Sequence, residues 1–383
     1  MYLPKILAFG DPRNYFYREA IQAFTQIGCQ ILSCSISGKI SSGQVVTQEA
    51  VERFNPDFVF IINDIRPITG ELSVFLQRYP HVSWLGERPI WSYFWRCASD
   101  VQFKDAIQFV TDRRLEQELK QNGFDKVYFL PLATNLHDFS PRGKCIKSDV
   151  SFVGKPMFNQ AIIMRRNPFI KDFLTSNIEN YKLIKHGSQV IREGAWTSPL
   201  SLLRDLEEKL DNGNPLEKNS KGNQQTLEKT ARLSYLGLYL TGFLRCRCIE
   251  QLSCQFDINI YGPGWSSIIP KLCTKSRLVD YGKSLAQIYR GTTVNINISS
   301  QHLPTALNSR PFDVPACGSF LITDYRPGIE ELFELDKEVI VYHNEDIPKE
   351  NEIIEINNLY FKMLKVDSSK IMEVYLKILE NED

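Results

Sequence analysis

The 383-residue chain has no surplus of either charge: 45 Lys and Arg stand against 45 Asp and Glu, for a formal net charge of zero. The basic excess that marks a nucleic-acid binder is therefore missing, although a local basic pocket for a diphosphate is compatible with the balance. No apolar run approaches the roughly 20 residues needed to cross a bilayer. The opening MYLPKILAF runs straight into a strand-like stretch, without the charged-then-apolar layout of a signal peptide, so a cytoplasmic protein is expected. The nine cysteines lack regular spacing and read as reduced thiols. Cys246, Cys248, Cys254 and Cys273 are the nearest thing to a ligand set, but positions two apart do not share a helix face, and buried thiols are expected instead. Three motifs are also absent. Neither FGDPRN nor VGKPMF carries the G-x-G-x-x-G of a dinucleotide dehydrogenase. No G-x-x-x-x-G-K-[ST] phosphate loop occurs, and no Asp-x-Asp metal-ligand motif.

What is present is enough apolar material, 43% of residues, for two sizeable cores, and a length that favours two domains. Short apolar runs alternate with amphipathic stretches, the pattern of parallel sheets covered by helices on both faces. In the N-terminal part the strand-like runs lie near 5–9, 29–36, 57–63, 81–85, 106–112 and 126–132. Residues 132–149, with Pro141 and Gly143 and no sustained apolar period, read as a linker. The pattern restarts near 149–154, 255–262, 292–299, 319–324 and 337–342. The predicted organisation is an α/β domain over 1–135, a second over 148–355 and paired amphipathic helices over 356–383. Residues 187–250 exceed a minimal domain and read as a helical insertion, either an embellishment packed on the domain or a surface for an acceptor or second subunit.

Arg310 to Glu331, RPFDVPACGSFLITDYRPGIEE, carries the most chemistry. It reads as a short helix, a turn at Gly318, a buried strand, a turn at Pro327–Gly328 and another helix. Asp313 sits where a carboxylate can accept two hydrogen bonds from a ribose diol, or else serves as a surface or capping residue. Backbone N–H groups from Gly328 through Glu330, after the strand's carboxyl end, are placed to receive phosphate oxygens.

This stretch resembles the C-terminal signature of glycosyl transferases of the group 1 type, especially the spore-maturation (CgeB-like) family. The matching residues are Arg310, Phe312–Asp313, Ala316–Cys317–Gly318, the strand Phe320–Ile322, Asp324 and Leu332–Phe333. SFVGK (151–155), IYGPGW (260–265), DYGKSLAQIYRGTTVNINIS (280–299) and LKQNGFDKVYFLPLATN (119–135) continue the likeness in order. It covers roughly 119–345 well and 1–118 only in pattern. The resemblance implies a GT-B fold: two doubly wound Rossmann-like domains facing a cleft, with the nucleotide sugar held by the C-terminal one.

It also implies roles. Asp313 matches the second acid of the Glu-x7-Glu motif of retaining enzymes, the ribose ligand; Thr305 stands where the first acid would be, which puts a retaining mechanism in doubt. Arg310 and Lys155 are candidates for the diphosphate, with Arg165 and Arg166 as further cations; a solvated turn lysine is the plain alternative for Lys155. The Gly154 turn allows close backbone approach. Tyr261 and Gly262 end a strand where ring or backbone can cover base or ribose, while Tyr261 and Trp265 as core aromatics are the alternative. His302 and Asn308 are candidate sugar contacts, against an exposed loop histidine. Glu87, before the aromatic WSYFW cluster, is the candidate base if the reaction inverts; Gly10–Asp11 ends the first strand on the acceptor side. The expected activity is metal-independent sugar transfer without a cofactor, from a nucleotide-sugar donor to a glycan, protein or small-molecule acceptor. The rivals are a nucleotide-sugar epimerase and a catalytically silent sugar-binding or surface-assembly protein.

Overall fold

The computed structural model describes residues 3–35, 46–63, 76, 78–86, 106–121, 123–157, 208, 234–242, 244–246, 248–249, 252–253, 256–266, 268–269 and 276–342. The chain forms two compact units that meet in sequence between Pro131 and Leu132.

The first unit holds a six-stranded sheet of β1 (Lys5–Gly10), β2 (Gln30–Ser35), β3 (Phe58–Ile62), β4 (His81–Leu85), β5 (Ile107–Val110) and β6 (Val127–Phe129). Its order is β2-β1-β3-β4-β5-β6, and every pairing is parallel. These strands are short apolar runs because a parallel sheet under helices is buried on both faces. Ile6, Ala8 and Phe60 face one core cluster while Leu7, Phe9 and Val59 face another. Local chemistry starts the helices between them. The Asn14 side chain accepts from Phe16 N ahead of Tyr15–Gln26, and Thr47 accepts from Ala50 N ahead of Gln48–Phe54. Asp112 accepts from Leu115 N ahead of Arg113–Gln121, a helix further supported by the Arg114–Glu118 and Lys120–Glu116 pairs.

The second unit holds β7 (Ser148–Val153), β8 (Ile258–Tyr261), β9 (Ser276–Arg277), β10 (Thr292–Asn297), β11 (Leu321–Asp324) and β12 (Ile340–Tyr342). Its order, β12-β11-β10-β7-β8-β9, is again wholly parallel. Counted from β7, this is the 3-2-1-4-5-6 arrangement of a Rossmann sheet, read from the opposite edge. Both units are therefore doubly wound α/β structures, as the alternating pattern predicts. The two-residue β9 has no apolar run to announce it.

The stretch read as a linker packs onto the second unit. Phe139 is fully buried, with its ring centroid 5.1 Å from that of Tyr281 and 6.2 Å from that of Tyr289. Arg290 donates to the carbonyls of Ser140 and Lys144. Of the insertion expected over 187–250, residues 234–242 are helical and bury Tyr235, Leu236, Leu238 and Leu240. The helices expected over 356–383, the WSYFW cluster, and Arg165 and Arg166 lie outside the described residues.

Candidate functional site

All strands of the second sheet run the same way, so the segments leaving β7, β8, β10 and β11 gather along one edge. The strand order reverses between β7 and β10, and such a switch point is where open α/β sheets hold ligands.

Gly154 follows β7 directly. Its N–H donates to Tyr261 O at 2.8 Å, and its carbonyl accepts from Trp265 Nε1 at 2.8 Å. Gly262 meets this turn backbone to backbone: a Cβ there would lie 2.3 Å from Gly154 O, and its φ of +143° is disfavoured for any other residue. The two glycines thus let the turns after β7 and β8 touch. Trp265 and Tyr261 belong to the core, at 0% and 4% exposure. Burial raises the Tyr261 phenol above its ordinary pKa. The Lys155 side chain is exposed.

Three arginines bind this edge together. Arg310 is half-buried and donates to Val153 O, at the end of β7, and through Nη1 to Asn297 Oδ1 at 2.9 Å, at the end of β10. Arg245 is buried and spans the same gap: Nε and Nη2 donate to Ile298 O at 3.0 and 2.6 Å, and Nη1 donates to Lys155 O at 2.7 Å. Arg326 is fully buried, paired with Asp324 through Nε and Nη2 at 3.0 and 2.8 Å, and donates through Nη1 to Leu303 O at 3.1 Å. Asp324 Oδ1 in turn accepts from Ser299 N at 2.8 Å, closing the β10 segment onto β11. Among the described residues, Arg326–Asp324 is the one ion pair these arginines make; Arg245 and Arg310 are held by carbonyl and amide oxygens. Among the described residues, three guanidinium groups thus gather at the switch point with one carboxylate, Asp324, bonded to them. Desolvation, and then repulsion from Arg310, pushes the Arg245 pKa down to about 9, which still leaves it charged at neutral pH.

Asn297 organises the polar lining. Besides accepting from Arg310, its Oδ1 accepts from Asn308 Nδ2 at 2.9 Å, and its Nδ2 donates to Thr323 Oγ1 at 2.8 Å. His302, read as a loop histidine, is buried at 6% exposure, with Nδ1 2.6 Å from Ser300 Oγ. Thr305 is half-buried.

Asp313 lies on the helix Arg310–Ala316 and has no exposed surface. Its Oδ1 accepts from Thr134 Oγ1 at 2.7 Å, and the Tyr281 hydroxyl lies 3.1 and 3.0 Å from Oδ1 and Oδ2. Burial raises its pKa to about 7, against the opposing effect of these hydrogen bonds and of Arg310. After β11, Gly328 opens a single 3-10 turn, Ile329–Glu331, in place of the α-helix expected there. Glu330 is exposed and bonded to Tyr325. Two acidic residues in so short a turn oppose an anion at its start.

In the first unit, Asp11 follows β1 and is held by Arg13 at 2.8 Å. Asn63 follows β3 with φ +56°, and its Oδ1 accepts from Gly86 N at 2.9 Å. Glu87 lies outside the described residues.

The structure thus brings Gly154, Gly262 and His302, on segments leaving the strands, and Arg310, at the start of its helix, to one sheet edge, and adds Arg245, Arg326, Asn297, Thr134 and Tyr281, which the sequence reading did not select. Arg245 did leave a signal: an arginine within the apolar stretch ARLSYLGLYLTGFLRCRCIEQL needs a buried partner. Thr134 and Tyr281 left none, since their partner is 179 and 32 residues away.

Residues 245–356 match the family model described as glycosyl transferase-like. No curated protein matches the chain. Among solved structures, a glycosyltransferase from Rickettsia africae is similar at 11% identity and a TM-score of 0.48, over 99% of this chain and 94% of that one. Sucrose-phosphate synthase from Thermosynechococcus elongatus is similar at 9% identity, TM-score 0.48 and the same coverages. HepE from Anabaena, solved in complex with UDP, is similar at 10% identity and TM-score 0.43, again over 99% of this chain and 94% of that one. Among the described residues, no helix is long and apolar enough to cross a membrane.

Proposed function

We propose that this protein is a glycosyltransferase that binds the diphosphate of a nucleotide-sugar donor at the carboxyl edge of its second sheet, between β7 and β10. The observation that carries the reading is the cluster of three guanidinium groups there. Among the described residues, Arg245 and Arg310 make no ion pair with a carboxylate and are held by carbonyl and amide oxygens instead, so their positive charge is available to an anion. A diphosphate is such an anion, and arginine is the side chain best matched to phosphate oxygens. The glycosyl transferase-like match over 245–356 spans two of the three arginines beyond its first residue and begins on the third.

The likeness to group 1 enzymes implies a ribose contact for Asp313, and the hydrogen bonds of its carboxylate support that reading in a specific form. Tyr281 has one hydroxyl proton, yet its oxygen sits at bonding distance from both carboxylate oxygens. A ribose diol has two protons for the same two oxygens, so exchanging the phenol for the diol adds one charge-assisted hydrogen bond. Lys155, exposed beside the Gly154 turn, is available to the departing diphosphate. Positive side chains then stabilise the leaving group without a divalent metal, which agrees with the missing Asp-x-Asp motif. The acceptor is a hydroxyl-bearing glycan, protein or small molecule.

A thermal-shift and turnover panel of nucleotide sugars, UDP-glucose included, tests the reading. A donor at a hundred times its Kd stabilises the fold by about 2.7 kcal/mol. The absence of any stabilising nucleotide sugar would overturn the proposal. Thr305, standing where the first acid of the retaining motif belongs, favours one second reading: a sugar-binding protein without turnover. Stabilisation by a donor with neither transfer nor hydrolysis selects it.

A further inference from the structure

Asp313 is held by hydroxyls from two segments that lie far apart in the sequence. Tyr281 precedes the helix Lys283–Gly291, and its oxygen lies 3.1 and 3.0 Å from Oδ1 and Oδ2. Thr134 is the third residue of the second unit, which begins at Leu132, and its Oγ1 lies 2.7 Å from Oδ1. The residues after Thr134 are pinned. His137 N donates to Asn135 Oδ1 at 3.0 Å, and Asp138 N and Phe139 N donate to Asn135 O at 3.0 and 2.9 Å. The buried Phe139 ring packs on that of Tyr281, and a Cβ on Gly282 would lie 2.9 Å from Asp138 Oδ2. Residues 135–139 thus rest on Tyr281 and Gly282, and a β-branched side chain, stiff at χ1, presents the Thr134 hydroxyl from a fixed start.

The two hydroxyls stand differently to a ribose. Tyr281 reaches across both carboxylate oxygens and so occupies the place where the two hydroxyls of a diol would bind. Thr134 meets Oδ1 alone, at the usual O–H···O distance. A carboxylate offers about four lone-pair sites. Thr134 uses one and a diol needs one on each oxygen, so Thr134 keeps its bond when a diol takes the place of the phenol. It then has a task that the phenol no longer performs. The χ2 torsion of an aspartate is broad, and a hydrogen bond to one oxygen fixes the carboxylate plane and with it the direction of the other oxygen. Burial raises the pKa of Asp313, and among the groups that oppose it Thr134 has the largest effect, ahead of Tyr281, Ser309 and Arg310.

We infer that Thr134 is a positioning residue for nucleotide selection: by holding Oδ1 it keeps the Asp313 carboxylate turned to receive both hydroxyls of a ribose, and so lets the site tell ribonucleotide from deoxyribonucleotide donors. The selection rests on the nucleotide-sugar reading above. The hold on Asp313 does not, because it is a contact within the protein.

Thr134→Val removes the hydroxyl and keeps the β-branched shape, while Thr134→Ser keeps the hydroxyl; Thr134→Ala serves if Thr134→Val does not fold. Calorimetry on the full chain at pH 8.5, where Asp313 is ionised, compares UDP with 2′-deoxy-UDP. The wild type prefers UDP. In Thr134→Val the Kd for UDP rises about 5-fold, the worth of one hydrogen bond, the Kd for 2′-deoxy-UDP rises less, and Thr134→Ser restores the wild-type ratio. A role confined to packing would weaken both nucleotides alike, and equal losses, or a preference for UDP that survives in Thr134→Val, overturn the inference while leaving the nucleotide-sugar reading intact. The hold is read separately from the ¹³C titration of the Asp313 carboxyl in the ligand-free chain, its signal identified by loss in Asp313→Asn. Thr134→Val moves that titration to higher pH and Thr134→Ser leaves it in place; a titration that is the same in Thr134→Val and the wild type refutes the hold. If the titration responds as stated while no nucleotide binds, the nucleotide-sugar reading fails, and the selection falls with it.

Discussion

Asp313→Asn isolates the energetics of the one buried carboxylate that the likeness to group 1 enzymes places at the ribose. The Asp313 pKa is raised from 3.8 to about 7, chiefly by burial. Between these values the folded chain holds a proton that the unfolded chain has lost, so stability falls as pH rises from about 4 to about 7 and is level above that. At about 1.4 kcal/mol per pH unit, the penalty of ionising Asp313 reaches about 4 kcal/mol. Asparagine has the same shape and never ionises. Thr134 and Tyr281 retain a partner, because a hydroxyl rotates to meet an amide as readily as a carboxyl. The variant is therefore ahead by about 1 kcal/mol at pH 4.5 and by up to about 4 kcal/mol at pH 8. Urea unfolding across that range, followed by hydrogen exchange at the amides of Arg310–Ala316, measures the difference for the second unit. A difference that does not change with pH, or a variant less stable than the wild type at pH 8, would refute the reasoning.

The remaining predictions address the ligand. Arg310→Gln removes half-buried positive charge between β7 and β10, and UDP affinity falls by at least ~10-fold in calorimetry on the folded variant, one charge-assisted contact being worth about 1.5–3 kcal/mol; unchanged affinity displaces the diphosphate from this edge. Tyr281→Phe removes the hydroxyl that the ribose replaces at Asp313, so ribose donors bind about 5-fold tighter, from roughly 1 kcal/mol, while 2′-deoxy donors gain less. Equal gains for both refute the exchange. Transfer activity persists in EDTA, and complete loss that added metal restores would reject the metal-independent scheme. Gly262→Ala places a Cβ 2.3 Å from Gly154 O at a φ of +143°, so it costs about 2 kcal/mol or more in urea unfolding, and native-like stability would show that the two turns do not need to touch.

Much of the architecture is legible in the sequence because it is local. Parallel strands buried on both faces must be apolar runs: the run at 81–85 coincides with β4, and the run at 292–299 contains all of β10 and ends two residues beyond it. Glycine turns announce themselves at Gly154 and Gly262, and the likeness to glycosyl transferases picks out Arg310 and Asp313 by their spacing. Tertiary contact decided the rest. Whether Tyr261 covers a ligand or fills a core depends on which side of β8 is packed, and the second outcome is the one found. Residues 132–149 have a linker's composition, yet Phe139 and the carbonyls of Ser140 and Lys144 find partners on the helix Lys283–Gly291 or just before it. The α-helix expected after Gly328 shrinks to one turn. Most consequential is the apolar insertion. Its composition gives burial, but not the identity of what it buries against. Gly237, Thr241 and Arg245 acquire meaning only when the fold sets them beside His302, Ser300 and Ile298, roughly sixty residues further along the chain. A hydrogen bond needs its partner within about 3 Å, and no periodicity in a single chain records which distant residue folding brings that close.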